Sequence, residues 1–163
     1  MTTRKIAIPS IHIGRIDSWS ILDAMLEHTL QPCSVVICSF AIAEGWVKRL
    51  MKLKQKGKIE KIIVLLDRAV MIRHRSKILL MESVIDEMYF NDTHAKLLMV
   101  TSKDFEAVAV MSANATMNYR IETFYITDKA NDVNVIREDL QRIYDNSRSI
   151  KPGGGTLRAV LHP

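Results

Sequence analysis

Cysteine is nearly absent from this 163-residue chain. Its two copies, Cys33 and Cys38, fall in or beside the apolar run Ser34-Val35-Val36-Ile37-Cys38, where a free thiol behaves as a small core hydrophobe. No second Cys or His pair stands nearby to complete a structural zinc site, and a reducing, intracellular compartment fits. Long hydrophobic runs are also missing: nowhere do about 18 apolar residues follow one another, the length that a spanning helix needs. After Met1-Thr2-Thr3-Arg4-Lys5 no apolar signal-peptide core follows. The expectation is a cytoplasmic protein that neither leaves by a standard signal nor spans a membrane. Glycine is scarce, with six copies, three of them consecutive at Gly153–Gly155. Pro152-Gly153-Gly154-Gly155 lacks the Lys-Ser/Thr of a phosphate-binding P-loop. Internal repeats are absent.

What is present is an apolar fraction of 48%, enough for one sizeable core at this length. A net charge of +5 and a pI near 9.3 supply a field that attracts polyanions. Short Val/Ile-rich runs alternate with stretches of helical period, the pattern of an α/β domain whose sheet is covered by helices. Strands are expected at Lys5–Pro9, Val35–Phe40, Lys61–Leu66, Ala95–Thr101, Ala107–Ser112 and Thr123–Thr127, and helices at Ser18–Leu30, Glu44–Lys56, Ser76–Met88 and Asp132–Asn146. Residues 1–146 read as one domain, followed by a flexible glycine-containing tail over 147–163.

Basic residues gather in two places. In helix 44–56, Val47, Leu50, Met51 and Leu53 face a core, while Lys48, Lys52 and Lys56 form an outer stripe that is ordinarily just solvated. Arg68, Arg73, His74, Arg75 and Lys77 follow a strand ending at Leu66-Asp67, where α/β proteins place ligand crevices. Arg68, Arg73, Arg75 and Lys77 are therefore candidates for nucleic-acid contact.

The most informative segment runs from Thr93 to Asn114. It reads as a β-hairpin: Thr93-His94-Ala95-Lys96 leads one strand, Ser102-Lys103-Asp104 makes the turn, and Met111-Ser112-Ala113-Asn114 ends the other. Residues two apart on a strand share a face, so His94 pairs with Lys96 and Ser112 with Asn114 at one sheet edge. Phosphodiester cleavage needs a nucleophile or base, a proton donor for the leaving oxygen, and donors for the non-bridging oxygens. Imidazole can attack phosphorus when neutral and protonate a leaving group when charged. Lys96 and Asn114 supply donors.

His94-x-Lys96, fifteen intervening residues, then Ser112-x-Asn114 and an acidic residue at Glu122 resembles the signature of the phospholipase D superfamily. The resemblance extends over most of residues 5–145, through a strand ending at Ser39-Phe40, a helix, and a strand ending at Leu66-Asp67. It implies a phospholipase D-like fold, a mixed sheet with helices on both faces. It also implies that His94 forms a phosphohistidine, that Lys96 and Asn114 hold the phosphate, and that Ser112 lines the pocket. Glu122 would orient the His94 ring by accepting from its other nitrogen. The family's motif runs His-x-Lys-x4-Asp and then Gly-Ser, whereas this chain has Thr101 for the Asp and Met111 for the Gly. Asp104 nearby reads as a turn residue.

Family enzymes use two motifs and this chain carries one, so the resemblance implies a homodimer with both copies at a shared interface. It implies neither cofactor nor metal. The leading expectation is a cytoplasmic, metal-independent nuclease acting on DNA or RNA, and the alternative is a nucleic-acid-binding protein of the same fold that has lost turnover. Lipid is the weaker substrate, because nothing resembles an anchoring helix or a lipidation signal.

Overall fold

The computed structural model of the chain describes residues 6–73, 75–116 and 120–151, with side chains omitted at 71–76 and 149–151. Among the described residues, eight strands form one mixed sheet: β1 (Ser10–Gly14), β2 (Cys33–Ser39), β3 (Ile59–Asp67), β4 (Glu87–Asn91), β5 (Leu97–Thr101), β6 (Glu106–Met111), β7 (Glu122–Thr127) and β8 (Arg148–Lys151). Their spatial order is β1-β7-β6-β5-β2-β3-β4-β8. Only β2, β3 and β4 run parallel to one another; every other pairing is antiparallel. Five helices among the described residues connect them: α1 (Ser18–Leu26), α2 (Glu44–Gln55), α3 (Arg68–Arg73), α4 (Arg75–Glu82) and α5 (Ala130–Asp145).

The central strands are apolar on both sides, as strands buried on both faces must be. Val35 and Ile37 of β2, Ile62 and Val64 of β3, and Leu98 and Val100 of β5 pack under α1, α2 and α4. Their neighbours Val36, Cys38, Ile63, Leu65, Leu97 and Met99 point the other way, toward Val133, Ile136 and Leu140 of α5. Helices therefore cover both faces, as expected. Each fully buried Leu or Ile side chain contributes about 1.5–3 kcal/mol relative to exposure. Burial also raises the thiol pKa of Cys33 to about 12 and that of Cys38 to about 11, so both remain protonated core fillers.

Local chemistry sets the helix positions. Asp17 caps α1 by accepting from the Ser20 N–H at 2.9 Å. Trp19 of α1 stacks on Trp46 of α2 with ring centroids 3.9 Å apart, and the Arg49 guanidinium lies 5.0 Å from the Trp19 ring.

Three expectations need correction. The first strand is Ser10–Gly14, not Lys5–Pro9: Pro9 has no N–H to give a ladder, while Ile11 and Ile13 alternate with His12 along β1. Helix Ser76–Met88 stops at Glu82, and Met88 belongs to β4. The Asp86 carboxylate accepts from the Ile62 N–H at 2.8 Å and from Lys54 Nζ, which draws the chain off the helix and alongside β3. The tail does not begin at 147. Arg148–Lys151 adds β8 to the outer edge of β4, with Arg148 opposite Phe90 and Ser149 opposite Tyr89. Residues 152–163 and His74 lie outside the described residues. Among the described residues no helix is long and apolar enough to cross a membrane.

Candidate active site

The parallel strands β2, β3 and β4 end on the same edge of the sheet, where β5 and β7 begin and β6 ends. All five motif residues stand at that edge. His94 and Lys96 precede β5, not within it, although the Met111 N–H donating to Lys96 O at 2.9 Å continues the β5–β6 ladder one step further. Ser112 and Asn114 follow β6, and Glu122 opens β7.

His94 is exposed and half-buried Lys96 reaches back to it. Lys96 Nζ lies 3.0 Å from His94 Nδ1 and 2.6 Å from the His94 carbonyl oxygen. An ammonium only donates, so Nδ1 accepts and the neutral ring carries its proton on Nε2. The ring of Phe40, just past β2, lies 4.5 Å from the imidazole at 42°.

Asn114 is held from three sides. Its carbonyl accepts from the Ser18 hydroxyl at 3.0 Å, at the start of α1. Its Oδ1 lies 3.4 Å from Ser39 Oγ at the end of β2. Its neighbour Ala115 accepts from the Ala43 N–H at 2.8 Å, at the start of α2. With Oδ1 turned toward Ser39, the carboxamide N–H groups remain for a ligand. Ser39 is 1% exposed, and its hydroxyl donates to Ala41 O at 2.6 Å while accepting from the Ala115 N–H at 3.0 Å. Sequence reasoning missed Ser39 and Phe40 as parts of the site. A polar residue closing an otherwise apolar strand was the available signal.

Glu122 does not meet His94 in this arrangement. Its carboxylate accepts from the Ser112 hydroxyl, which in turn accepts from the Thr123 N–H at 2.9 Å. Ser112 and Thr123 also face each other across the β6–β7 ladder, the Ser112 N–H donating to Thr123 O at 3.0 Å. Proximity in the sheet thus gives Glu122 to Ser112.

Both departures from the expected pattern have structural places of their own. Thr101 ends β5 at the opposite sheet edge, 3.3 Å from Glu106 Oε1, and Glu106 pairs with Arg137 at 2.5 Å. Met111 is buried in the core under α1, α2 and α4. Asp104 also sits at that far edge, in the β5–β6 turn. It accepts from the Leu30 N–H at 2.8 Å and the Ser102 hydroxyl at 2.9 Å, contacts that hold its carboxyl below the usual range.

Of the expected nucleic-acid contacts, Arg68 starts α3 beside the site, 3.4 Å from Asp92 two residues before His94. Lys77 of α4 lies close enough to Glu44 to help lower its carboxyl, after the larger effect of Lys48. Arg73 and Arg75 belong to α3 and α4 by backbone, and their side chains lie outside the described residues. Among the described residues, no group of three His, Cys, Asp or Glu side chains is placed to hold a metal ion.

No family model and no curated protein matches the chain. Solved structures do. The phospholipase D family member Nuc from Salmonella typhimurium superposes with a TM-score of 0.62 at 16% identity, over 88% of this chain and 99% of its own. NucT from Helicobacter pylori gives 0.66 at 14% identity, over 86% and 98%. TrmBL2, an archaeal chromatin protein described with a novel mode of DNA binding, gives 0.58 at 17% identity, over 85% of this chain and 52% of its own. The fold of this chain, one mixed sheet between helical layers with its polar motif at the carboxyl edge of the parallel strands, is the phospholipase D-like fold.

Proposed function

We propose that this chain is a metal-independent phosphodiesterase acting on nucleic acid, with His94 as the nucleophile and a second copy of the chain completing the site. The observation that carries the reading is an exposed His94 with the Lys96 ammonium 3.0 Å from Nδ1 and the Asn114 amide at the same edge of a phospholipase D-like sheet. A phosphate entering between them draws the Lys96 ammonium onto a non-bridging oxygen, where its charge offsets the charge developing in the transition state. Nδ1 is then free to hold the ring proton, and Nε2 attacks phosphorus. The P–N bond forms as the bond to the leaving oxygen breaks, and the partner's copy of the same imidazole protonates that oxygen. Water then cleaves the phosphohistidine, regenerating His94.

Two features support the second copy. The chain carries one set of these groups while the chemistry needs a separate acid and nucleophile. At the β1-β7-β6 end of the sheet, Ile11, Ile13 and Ile121 are each about 70% exposed, and Val110 is 36% exposed. This apolar surface adjoins Ser112 and Glu122, and an isologous contact there brings two motifs face to face. The basic charge and the position of Arg68 beside the site support nucleic acid over lipid.

A specific observation favours a second reading, a protein that grips nucleic acid without cutting it. Glu122 is engaged with Ser112, and among the described residues no carboxylate is hydrogen-bonded to the His94 ring. One experiment separates the two readings. Purified protein is assayed on a single-stranded oligonucleotide with EDTA, alongside His94→Ala. Cleavage that survives EDTA, vanishes in His94→Ala and leaves affinity unchanged supports the enzyme. Binding without cleavage in both proteins selects the second reading, and a monomeric mass with full activity sinks the shared site.

A further inference from the structure

Helix α2 carries charge that this chemistry does not use. Lys48, Lys52 and Lys56 recur every four residues along its outer face, and all three are exposed. At about 1.5 Å of rise per residue they stand about 6 Å apart and span about 12 Å. With Gly45, Arg49 and Leu53 they line a groove of about 320 Å³, to which Gly45 contributes no side chain. Acidic neighbours answer only part of this charge. Lys48 pairs with Glu44 at 2.5 Å and Arg49 pairs with Asp23, whereas Lys52 and Lys56 have no ion-pair partner among the described residues.

A solvated lysine face is the ordinary fate of an amphipathic helix. Position sets this one apart. The start of α2 is tied to the site by the Ala43–Ala115 hydrogen bond and by the Ile42–Ala115 bridge, one residue beyond Asn114. At that same end Lys77 of α4 acts on Glu44. The lysines of α2 therefore begin one turn past the end that is tied to the Asn114 loop, with Lys77 near Glu44 at that same end.

We propose that this groove holds the phosphodiester backbone of a nucleic-acid strand outside the bond being cut, leading it to or from His94. The proposal rests on the nucleic-acid reading above and adds where the strand lies. Three ammonium groups about 6 Å apart in one line can each meet a phosphate of a single strand laid along them, and each such contact adds to the salt dependence of binding. An anionic membrane is a poorer fit, because surface helices insert large apolar side chains. Among the described residues, the exposed large hydrophobics all lie off α2.

The test measures binding, in a His94→Ala background that keeps the strand intact. A fluorescent single strand of about 20 nucleotides is titrated by anisotropy between about 50 and about 200 mM salt. Replacing Lys52→Gln and Lys56→Gln together is expected to lower the slope of log affinity against log salt by about 1.4, at about 0.7 per lost phosphate contact. Lys103→Gln with Lys129→Gln removes the same charge at the opposite sheet edge and leaves the slope unchanged. Equal losses in both double variants, no loss in the first, or no binding by the parent overturns the proposal. Inorganic polyphosphate that displaces the strand equally well, phosphate for phosphate, overturns the nucleic-acid assignment. Absent turnover in the unmodified protein would sink the cleavage reading and leave this measurement intact.

Discussion

Ser39→Ala removes one oxygen atom from the point where three elements meet. The hydroxyl of Ser39 is the acceptor for the buried Ala115 N–H at 3.0 Å and the donor to Ala41 O at 2.6 Å. Ala115 is 2% exposed, so no water replaces the lost acceptor. Leaving one buried donor unsatisfied costs about 1–3 kcal/mol. Taking about 2 kcal/mol, and about 2–4 °C per kcal/mol for a domain of this size, the melting temperature is expected to fall by about 4–8 °C. The loop carrying Asn114 loses its anchor at the same time. Differential scanning fluorimetry reads the first effect, and tungstate protection against heating reads the second as a weakened concentration dependence. Urea unfolding with an unchanged m-value assigns the loss to the folded state. A melting shift under about 1 °C with unaltered tungstate affinity would refute the reasoning that Ser39 organises the proposed phosphate site.

Two further predictions concern the scaffold. Glu87 is fully buried, accepts from the Tyr89 hydroxyl at 2.6 Å and pairs with Lys61 at 2.8 Å. Lys61→Met leaves that carboxylate uncompensated and is expected to cost about 3 kcal/mol in urea unfolding, while adding Glu87→Gln restores most of it; equal midpoints for both variants would contradict this. Asp132, in the first turn of α5, accepts from the Tyr125 and Thr127 hydroxyls, and these bonds, Tyr125 first, hold its carboxyl below the ordinary 3.8. A carboxyl depressed in the folded state stabilises above its unfolded pKa, and the benefit is lost as pH falls through the folded value. Asp132→Asn should therefore unfold at lower urea than the parent at neutral pH, with the gap closing below about pH 4, and a gap that persists in acid argues against the bond.

What was legible in the sequence was local. The hairpin from His94 to Asn114 declares itself because its two apolar runs, the polar pairs at their ends and the Ser102–Asp104 turn lie within one short stretch, and the turn closes with the Ser102 N–H on Phe105 O at 2.8 Å. The two-faced core follows from apolar runs such as Val35–Cys38. Long-range pairing was hidden. β8 exists because β4 offers an open edge, which no pattern in Arg148–Lys151 announces. The end of helix α4 was misplaced because Asp86 is recruited by Ile62 and Lys54, 24 and 32 residues away. Glu122 was expected at His94, but the β6–β7 ladder delivers it to Ser112.

The strand order has a consequence for how the chain acquires this site. β1 pairs with β7, so Ser10 waits for Ile126, and β2 must find both β3 and β5 before its end at Ser39 can meet Asn114 and Ala115. Contacts that close such long loops are slow to form, because the ordering entropy is lost before the contacts offset it. A ribosome must release the chain past β6 and Asn114 before His94, Lys96, Ser112 and Asn114 can share an edge, and past Glu122 before all five do. Truncations ending before Ser112 therefore lack Ser112, Asn114 and Glu122 and with them the assembled site, and limited proteolysis of a stalled chain reads this directly.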